Sequence, residues 1–201
     1  RNWGDVPAQF EPSADIPDLN LPKTDRDEIY DRLLEDLELA AELVPWRSES
    51  GDPSTRVTKG AVKGQRARLA LARGGYSLRR ESRTMERRAD YQKYYQIARD
   101  ETWDIIQSGQ HGLNPNYENI FRGLHNSSID PTGERIFEAG AYGGNARTDS
   151  KLGYSNGLRI DASSSYGQAN GQLEAMPTYF YEFDQLGDSR RDVTLAYFSI
   201  N

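Results

Sequence analysis

Three tyrosines, Tyr142, Tyr154 and Tyr166, stand 12 residues apart in a stretch rich in Gly, Ser and Asn. An exposed aromatic ring can stack on the apolar face of a pyranose, while amide and guanidinium groups bond its hydroxyls. Such groups lie close by in the sequence. The candidate ligand-binding residues are therefore Tyr142, Asn145, Arg147, Tyr154, Asn156, Arg159 and Tyr166. The alternative, that these tyrosines anchor a long loop on neighbouring helices, stays open at this point.

The segment "GYSNG" (153–157) fits the pattern G-x-S-x-G of a nucleophile elbow around Ser155. That reading requires a buried strand before the serine and, in an α/β-hydrolase, a histidine after it. The preceding "RTDSKL" is polar, and both histidines, His111 and His125, come earlier in the chain. The segment is therefore interpreted as a Gly/Ser turn, and no catalytic residue is assigned.

Metal and glycosidase chemistry are equally poorly supported. His111 and His125 have no third ligand at a spacing typical of zinc sites, so no metal is expected. Glu182 and Asp184 are two residues apart and would not face each other on a helix, so they do not form a glycosidase pair. No phosphate-binding loop or dinucleotide fingerprint occurs, and no cofactor is expected.

Composition favours a globular protein with one sizeable core. The chain has 201 residues, a formal net charge of −6 and no cysteine, and 36% of its residues are hydrophobic. The basic run "RRESRTMERR" (79–88) has no interleaved aromatic residue, so it is interpreted as a solvated loop and no nucleic-acid partner is expected. Because the sequence begins with Arg1 and not with an initiator methionine, it is expected to be a piece of a longer protein.

Three long helices are predicted in the first half of the chain. The first has Thr24 as N-cap, an apolar face from Ile29 to Val44 and a stop at Pro45. The second covers 57–72 and ends at Gly74-Gly75, and the third runs from near Asp90 to Ser108-Gly109.

The second helix has an unusually bare face, made of Gly60, Gly64 and Ala67 with Leu71 one turn on. Each glycine inside a helix costs about 1 kcal/mol relative to alanine. Small side chains let a neighbouring backbone approach closely, as in tetratricopeptide repeats. The predicted fold is mainly α, with tetratricopeptide-like antiparallel helix pairs (an α-α superhelix), long irregular loops and little β structure.

The rest of the chain is predicted to be less regular. Prolines at 7, 12, 17 and 22 favour an extended strap over 1–23, followed by the repeat-like core over 24–109. A loop-rich ligand face covers 110–172, with one short strand at 135–142. A further helix starting from Pro177, and a tail, complete 173–201. These four parts are expected to belong to one partial domain.

Six segments in this order resemble the SusD/RagB family of outer-membrane nutrient-binding lipoproteins. They are "NWGDVPAQF", "EIYDRLLEDLELAAELVPW", "RVTKGAVKGQRARLALA", "YQKYYQIARDETWDIIQSGQHGLNPNYENIF", "RIFEAGAY" and "MPTYFYEFDQLGDSRRD". Gln65 and Arg66 depart from the pattern, because the family usually has apolar residues there. That face is either more solvated than in relatives or covered by something absent from this chain.

The resemblance implies a non-enzymatic, surface-exposed outer-membrane protein, held by a lipid anchor that this chain lacks. It implies that the protein binds oligosaccharides, or in some members peptides, and delivers them to a SusC-like TonB-dependent transporter. It also implies that the region after the Ile-Phe-Glu segment lends residues to the ligand face, by region and not by individual position. The alternative is a helical-repeat scaffold that binds a peptide or protein partner without carbohydrate.

Overall fold

The computed structural model describes residues 3–126, 128–140, 152–156, 158–165, 168–184 and 186–195. These ranges contain seven α-helices and four two-residue strands, so the mainly α prediction with little β structure is confirmed. The chain divides into two compact units, residues 1–113 with 129–138, and residues 114–128 with 139–201. The predicted organisation as a single domain stays a prediction.

The first unit begins with the predicted strap, which is largely extended. Two short strands, β1 (Val6–Pro7) and β2 (Lys23–Thr24), pair antiparallel with Val6 opposite Thr24. The prolines explain this, since each one fixes an extended or turn conformation and removes a backbone donor.

Helix α1 (Arg26–Leu43) follows at once, and its N-cap differs from the prediction. The carboxylate of Asp25, not the hydroxyl of Thr24, accepts the bond from the backbone N–H of Asp27. Thr24 is instead occupied as the last residue of β2.

Helices α2 (Lys59–Gly74) and α3 (Tyr91–Gln107) have nearly the predicted bounds. The start of α1 lies beside the end of α2, where Arg26 donates to the carbonyl of Ala72. The start of α2 likewise lies beside the end of α3, as the ion pair of Lys63 with Glu101 shows, and the end of α2 lies beside the residue that precedes α3, where Arg73 pairs with Asp90. The three helices therefore pack antiparallel in sequence order. Their shared apolar core consists of Leu34, Ala67, Ala70, Tyr94 and Ala98, with Leu69 and Ile97 packed against it.

The bare face of α2 is covered, although not as uniformly as predicted. Gly60 and Ala67 are buried, and Gly64 is half-buried against Ile105 of α3. The group beside Gly60 is the imidazole of His111, a loop residue. The cover does not extend to Leu71, which is 52% exposed.

Between α2 and α3 the basic run forms a hairpin and not a plain loop. Strands β3 (Ser77–Leu78) and β4 (Met85–Glu86) pair antiparallel. The expectation of a solvated run is wrong for Arg79, which is buried because its guanidinium lies 2.6 Å from a carboxylate oxygen of Asp27 on α1.

The second unit contains four shorter helices, α4 (Tyr117–His125), α5 (Leu152–Asn156), α6 (Pro177–Tyr181) and α7 (Ser189–Thr194). Helix α4 lies within the region 110–172 that was predicted to be loop-rich, where no helix was predicted. The carboxamide of Asn116 caps it by accepting from the N–H of Asn119, and its apolar residues recur at helical spacing.

Two further differences concern 135–142 and α6. No strand forms over 135–140, where Glu138 makes a single backbone bond to the carbonyl of Ser54; Ala141 and Tyr142 lie outside the described residues. One backbone bond does not make a ladder. Helix α6 begins at Pro177 as predicted, but it ends after five residues.

Candidate glycan-binding site

The candidate site is a cleft in the second unit with a volume of about 720 Å³, called here the α6 cleft. Apolar side chains form most of it, and the polar side chains of Asn156, Arg159, Glu174 and Thr194 also line it. Its lining residues are Asn156, Leu158, Arg159, Leu173, Glu174, Ala175, Met176, Pro177, Phe180, Tyr181, Thr194 and Leu195.

Backbone hydrogen bonds bring the segments of the α6 cleft together. The carbonyl of Ser155 accepts from the N–H groups of Gln172 and Leu173 at 2.8 and 3.0 Å. An isolated bridge joins Ile160 to Ala169, with N···O distances of 3.0 and 3.1 Å. These bonds hold the segment around Arg159 beside the segment that leads into α6.

Helix α6 carries the aromatic wall of the cleft. Pro177 suits the first helical position because its fixed φ matches the helix and its missing N–H would be unpaired there anyway. Tyr181 is 73% exposed, while Phe180 is half-buried with the guanidinium carbon of Arg191 4.7 Å from its ring centroid. Tyr181 is therefore the more exposed ring of the wall, and it meets Phe180 edge to face, with ring centroids 5.5 Å apart.

The polar groups of the cleft differ in chemistry. Asn156, Arg159 and Glu174 are all exposed, and they supply an amide, a guanidinium and a carboxylate. Together they provide both donors and acceptors. An exposed ring beside this set matches what a pyranose requires, namely one apolar face and several hydroxyls.

The predicted ligand-binding residues have different positions in the structure. Asn156 and Arg159 line the α6 cleft. Tyr154 is half-buried and does not line it, but its backbone carbonyl accepts from the N–H of Asn170 at 2.8 Å. The predictions at Tyr142, Asn145, Arg147 and Tyr166 lie outside the described residues.

Sequence reasoning selected neither Tyr181 nor Glu174 as a candidate ligand residue. The available signal was the aromatic cluster in "PTYFYEF" (177–183), directly after a proline that starts a helix. Phe180 and Tyr181 of this cluster line the α6 cleft, whereas Tyr179 and Phe183 line a smaller neighbouring cleft, so the cluster serves two surfaces.

A smaller cleft of about 310 Å³ lies on the other side of α6. Tyr179 and Phe183 meet edge to face there, with ring centroids 5.2 Å apart, and Tyr117 and Thr194 also line it. Two of its charged groups, Asp188 and Arg190, are paired with each other at 2.5 Å. Hydrogen bonds from Arg190 hold the pKa of Asp188 below its usual range, and the same carboxylate caps α7 by accepting from the N–H of Arg190.

Other site classes find no support in the described part of the chain. Ser155 lies within the five-residue helix α5, whereas a nucleophile elbow places its serine at a turn between a strand and a helix. Over the described ranges, no group of three or more His, Asp or Glu side chains is arranged to hold a metal ion. Among the same residues, no helix is both long enough and apolar enough to span a bilayer.

Two comparisons with known proteins give matches. Residues 1–71 match a family model described as SusD-like, "Starch-binding associating with outer membrane". The fold matches the crystal structure of a SusD homolog from Bacteroides thetaiotaomicron with a TM-score of 0.56 and 22% sequence identity. That match covers 70% of this chain and 25% of the homolog, so the chain spans about a quarter of that protein's length.

A comparison with curated protein sequences gave no match. At 22% identity the structural match concerns the fold, and it confirms the predicted tetratricopeptide-like helical class. Residues 1–71 are thus similar to SusD-like proteins in sequence, and the chain shares its fold with a SusD homolog.

Proposed function

We propose that this chain is part of a cell-surface protein that binds oligosaccharides in the α6 cleft. The observation that carries the proposal is the exposed ring of Tyr181 beside the polar side chains of Asn156, Arg159 and Glu174. The family-model description, which names starch binding, is the supporting comparison.

The α6 cleft is expected to bind sugars weakly. The cleft is open and its polar groups are exposed, so water competes for every hydrogen bond. We therefore expect dissociation constants between micromolar and millimolar, which correspond to about −8 to −4 kcal/mol. No catalysis is proposed, because the cleft's carboxylate, Glu174, has no second carboxylate among the lining residues described.

The proposal extends to the setting of the whole protein. The family description places relatives at the outer membrane. We propose that the full-length protein is lipid-anchored at the cell surface and hands its ligand to a SusC-like TonB-dependent transporter. Co-purification of that transporter with the tagged full-length protein tests this part.

The binding proposal is tested by calorimetric titration of the full-length protein with a panel of neutral oligosaccharides. A bound sugar should lose about tenfold or more in affinity in Tyr181→Ala, since stacking on an aromatic ring contributes about 1 kcal/mol or more beyond area burial. Trp103→Ala is the matched control, because Trp103 is 58% exposed on α3 and lines neither cleft of the second unit. Equal affinities in the two variants would refute the assignment of the site.

A peptide is the second candidate ligand. Leu173 and Met176 are 65% and 73% exposed at the same cleft, and apolar side chains of this kind suit the side chains of a peptide. The same titration with a peptide pool distinguishes the two. Heat with peptides and none with any oligosaccharide would favour the scaffold function.

A further inference from the structure

The first unit contains a separate cleft, of about 860 Å³, that the function proposed above does not use. It lies between the strap, the end of α2 and the β3–β4 hairpin, and is called here the hairpin cleft. Its exposed functional side chains are Trp3 and Lys23 of the strap and Tyr76, Arg80, Arg83 and Met85 of the hairpin region.

The charge of this cleft is opposite to that of the whole chain. The whole chain carries a formal net charge of −6. Among the described residues that line the cleft, however, five are basic and one, Asp5, is acidic. Two of the five, Arg26 and Arg79, are buried and paired with Asp27 at 3.0 and 2.6 Å. They stabilise the fold and are not available to a ligand.

The remaining three cations face solvent. Lys23 and Arg83 form no ion pair with any residue that the structure describes. Arg80 lies 3.5 Å from Asp5, and 70% of its side chain is exposed. The cleft therefore presents an uncompensated positive charge, which attracts an anion and weakens with added salt.

Aromatic surface accompanies the charge. Trp3 is 85% exposed and Tyr76 is 63% exposed, next to Leu78 and Met85 at 63% and 61%. Apolar patches rimmed by polar residues mark interaction sites in globular proteins. One face of Tyr76 is already covered by the guanidinium of Arg87, 5.2 Å from the ring centroid, so Trp3 is the freer ring.

The backbone at Arg83 adds a separate observation. Its φ of 57° is the one positive value at a non-glycine position among the described residues. The hairpin turn holds it there, with N···O distances of 2.9 Å from Arg83 to Arg79 and 3.0 Å from Arg79 to Thr84. Glycine or asparagine would adopt this conformation at lower cost, and such strained positions cluster at binding sites.

We infer that the hairpin cleft binds an acidic oligosaccharide, one with uronate carboxylates. Arg83 and Lys23 would pair with a carboxylate, Arg80 would bond hydroxyls or a second carboxylate, and a pyranose face would stack on Trp3. A saccharide fits better than a plain anion because the exposed apolar surface would have no role with phosphate or sulfate alone. The choice of a sugar rests on the proposed function, while the site is a different one.

The test is calorimetric titration of the full-length protein with an oligogalacturonate, and with a maltooligosaccharide of the same length as the neutral reference. Arg83→Gly should weaken oligogalacturonate binding by about tenfold, the usual effect of losing one charge-assisted bond. Glycine relieves the positive φ, so this variant should fold at least as well as the original. Arg83→Lys should retain most of the affinity.

The matched control is Arg68→Ala, which removes an exposed arginine of α2 outside the hairpin cleft. It should leave the affinity unchanged, and Trp3→Ala should reduce binding of the oligogalacturonate. Equal affinities of Arg83→Gly and the original protein would overturn the inference. So would single-stranded DNA or anionic lipid vesicles displacing the sugar in an Arg83-dependent way, because either would show a general polyanion surface.

The two proposals fail separately. Neutral-sugar binding that depends on Tyr181, together with no Arg83-dependent binding of oligogalacturonate, would refute the hairpin cleft and leave the α6 cleft standing. Binding of oligogalacturonate that depends on Arg83, with no neutral sugar bound, would support the hairpin cleft and refute the α6 cleft.

Discussion

The imidazole of His111 lies directly against the Cα of Gly60, so that a Cβ at this position would collide with Nε2. The ring cannot easily turn away, since its Nδ1 lies 2.8 Å from the carbonyl of Gly133, to which it donates. Gly60 is thus required by a loop residue that packs on the helix, and not by a neighbouring helix backbone.

Gly60→Ala should therefore destabilise the protein, by about 1 to 3 kcal/mol, because the imidazole must shift or lose its hydrogen bond. Urea unfolding followed by circular dichroism measures this. Combining Gly60→Ala with His111→Ala should remove most of the added cost of the glycine substitution, since the clash then disappears.

Gly64→Ala is the internal control for this prediction. Its nearest neighbour would be the Cδ1 of Ile105 at 3.9 Å, an ordinary contact. Alanine should then stabilise the helix by up to about 1 kcal/mol. If Gly60→Ala and Gly64→Ala lowered the free energy of unfolding equally, the proposed effect of the contact between His111 and Gly60 would be contradicted.

Arg66 joins all three long helices. Its guanidinium bonds the carbonyl of Leu34 at 3.0 Å, pairs with Glu38 at 2.7 Å and pairs with the buried Glu101. Arg66→Met should cost about 3 kcal/mol, because it leaves Glu101 with Lys63 alone as its ionic partner.

The control for Arg66 is Arg99→Ala on α3. That side chain is 76% exposed and lies 3.4 Å from Asp100, so its loss should change stability by less than about 0.5 kcal/mol. Thermal and urea unfolding of both variants provide the comparison. If Arg66→Met left the free energy of unfolding unchanged, apolar packing would be able to replace the buried ionic network, and the prediction would be wrong.

Asp27 should give the protein an acid-sensitive component of stability. Burial alone would raise the pKa of its carboxyl, but the hydrogen bond from Arg88 and the charges of Arg73 and Arg79 outweigh it and lower the pKa. A lowered pKa in the folded state means that the stabilisation is complete above the unfolded pKa of about 4. It is lost as the pH falls through the lower folded pKa.

Asp27→Asn should accordingly lose about 3 kcal/mol at pH 7, since buried guanidinium groups lose their counter-charge. The difference from the original protein should shrink as the pH falls below about 4. Glu35→Gln, an exposed change on the same helix, should show no such convergence. Urea unfolding at several pH values measures both, and a pH-independent difference would contradict the electrostatic explanation.

Asn156 and Arg159 should contribute separately to ligand binding if the α6 cleft is the site. Asn156→Ala and Arg159→Ala should each weaken a bound oligosaccharide by about three- to tenfold, the range for one exposed hydrogen bond. Arg122→Ala on α4 is the control, because its guanidinium pairs with Glu118 outside both clefts of the second unit. Titration calorimetry distinguishes the cases, and unchanged affinity in both site variants would exclude them as ligand residues.

The sequence by itself determined the elements that depend on local rules. Apolar residues at helical spacing, Pro45 and the pair Gly74-Gly75 placed α1, α2 and α3 within a few residues of their bounds. Spaced prolines predicted the extended strap, and Pro177 predicted the start of α6. Each of these signals acts through backbone geometry and periodicity within one segment.

The tertiary structure decided what no local pattern contains. Nothing near Gly60 in the sequence names His111 as its neighbour, and nothing near Arg66 names Glu101. The α6 cleft and the hairpin cleft also depend on tertiary packing, because the walls of each come from separate segments of the chain. Periodicity tells which residues face inward, but partners and cavities depend on how separate segments pack, and that is fixed only when the chain folds.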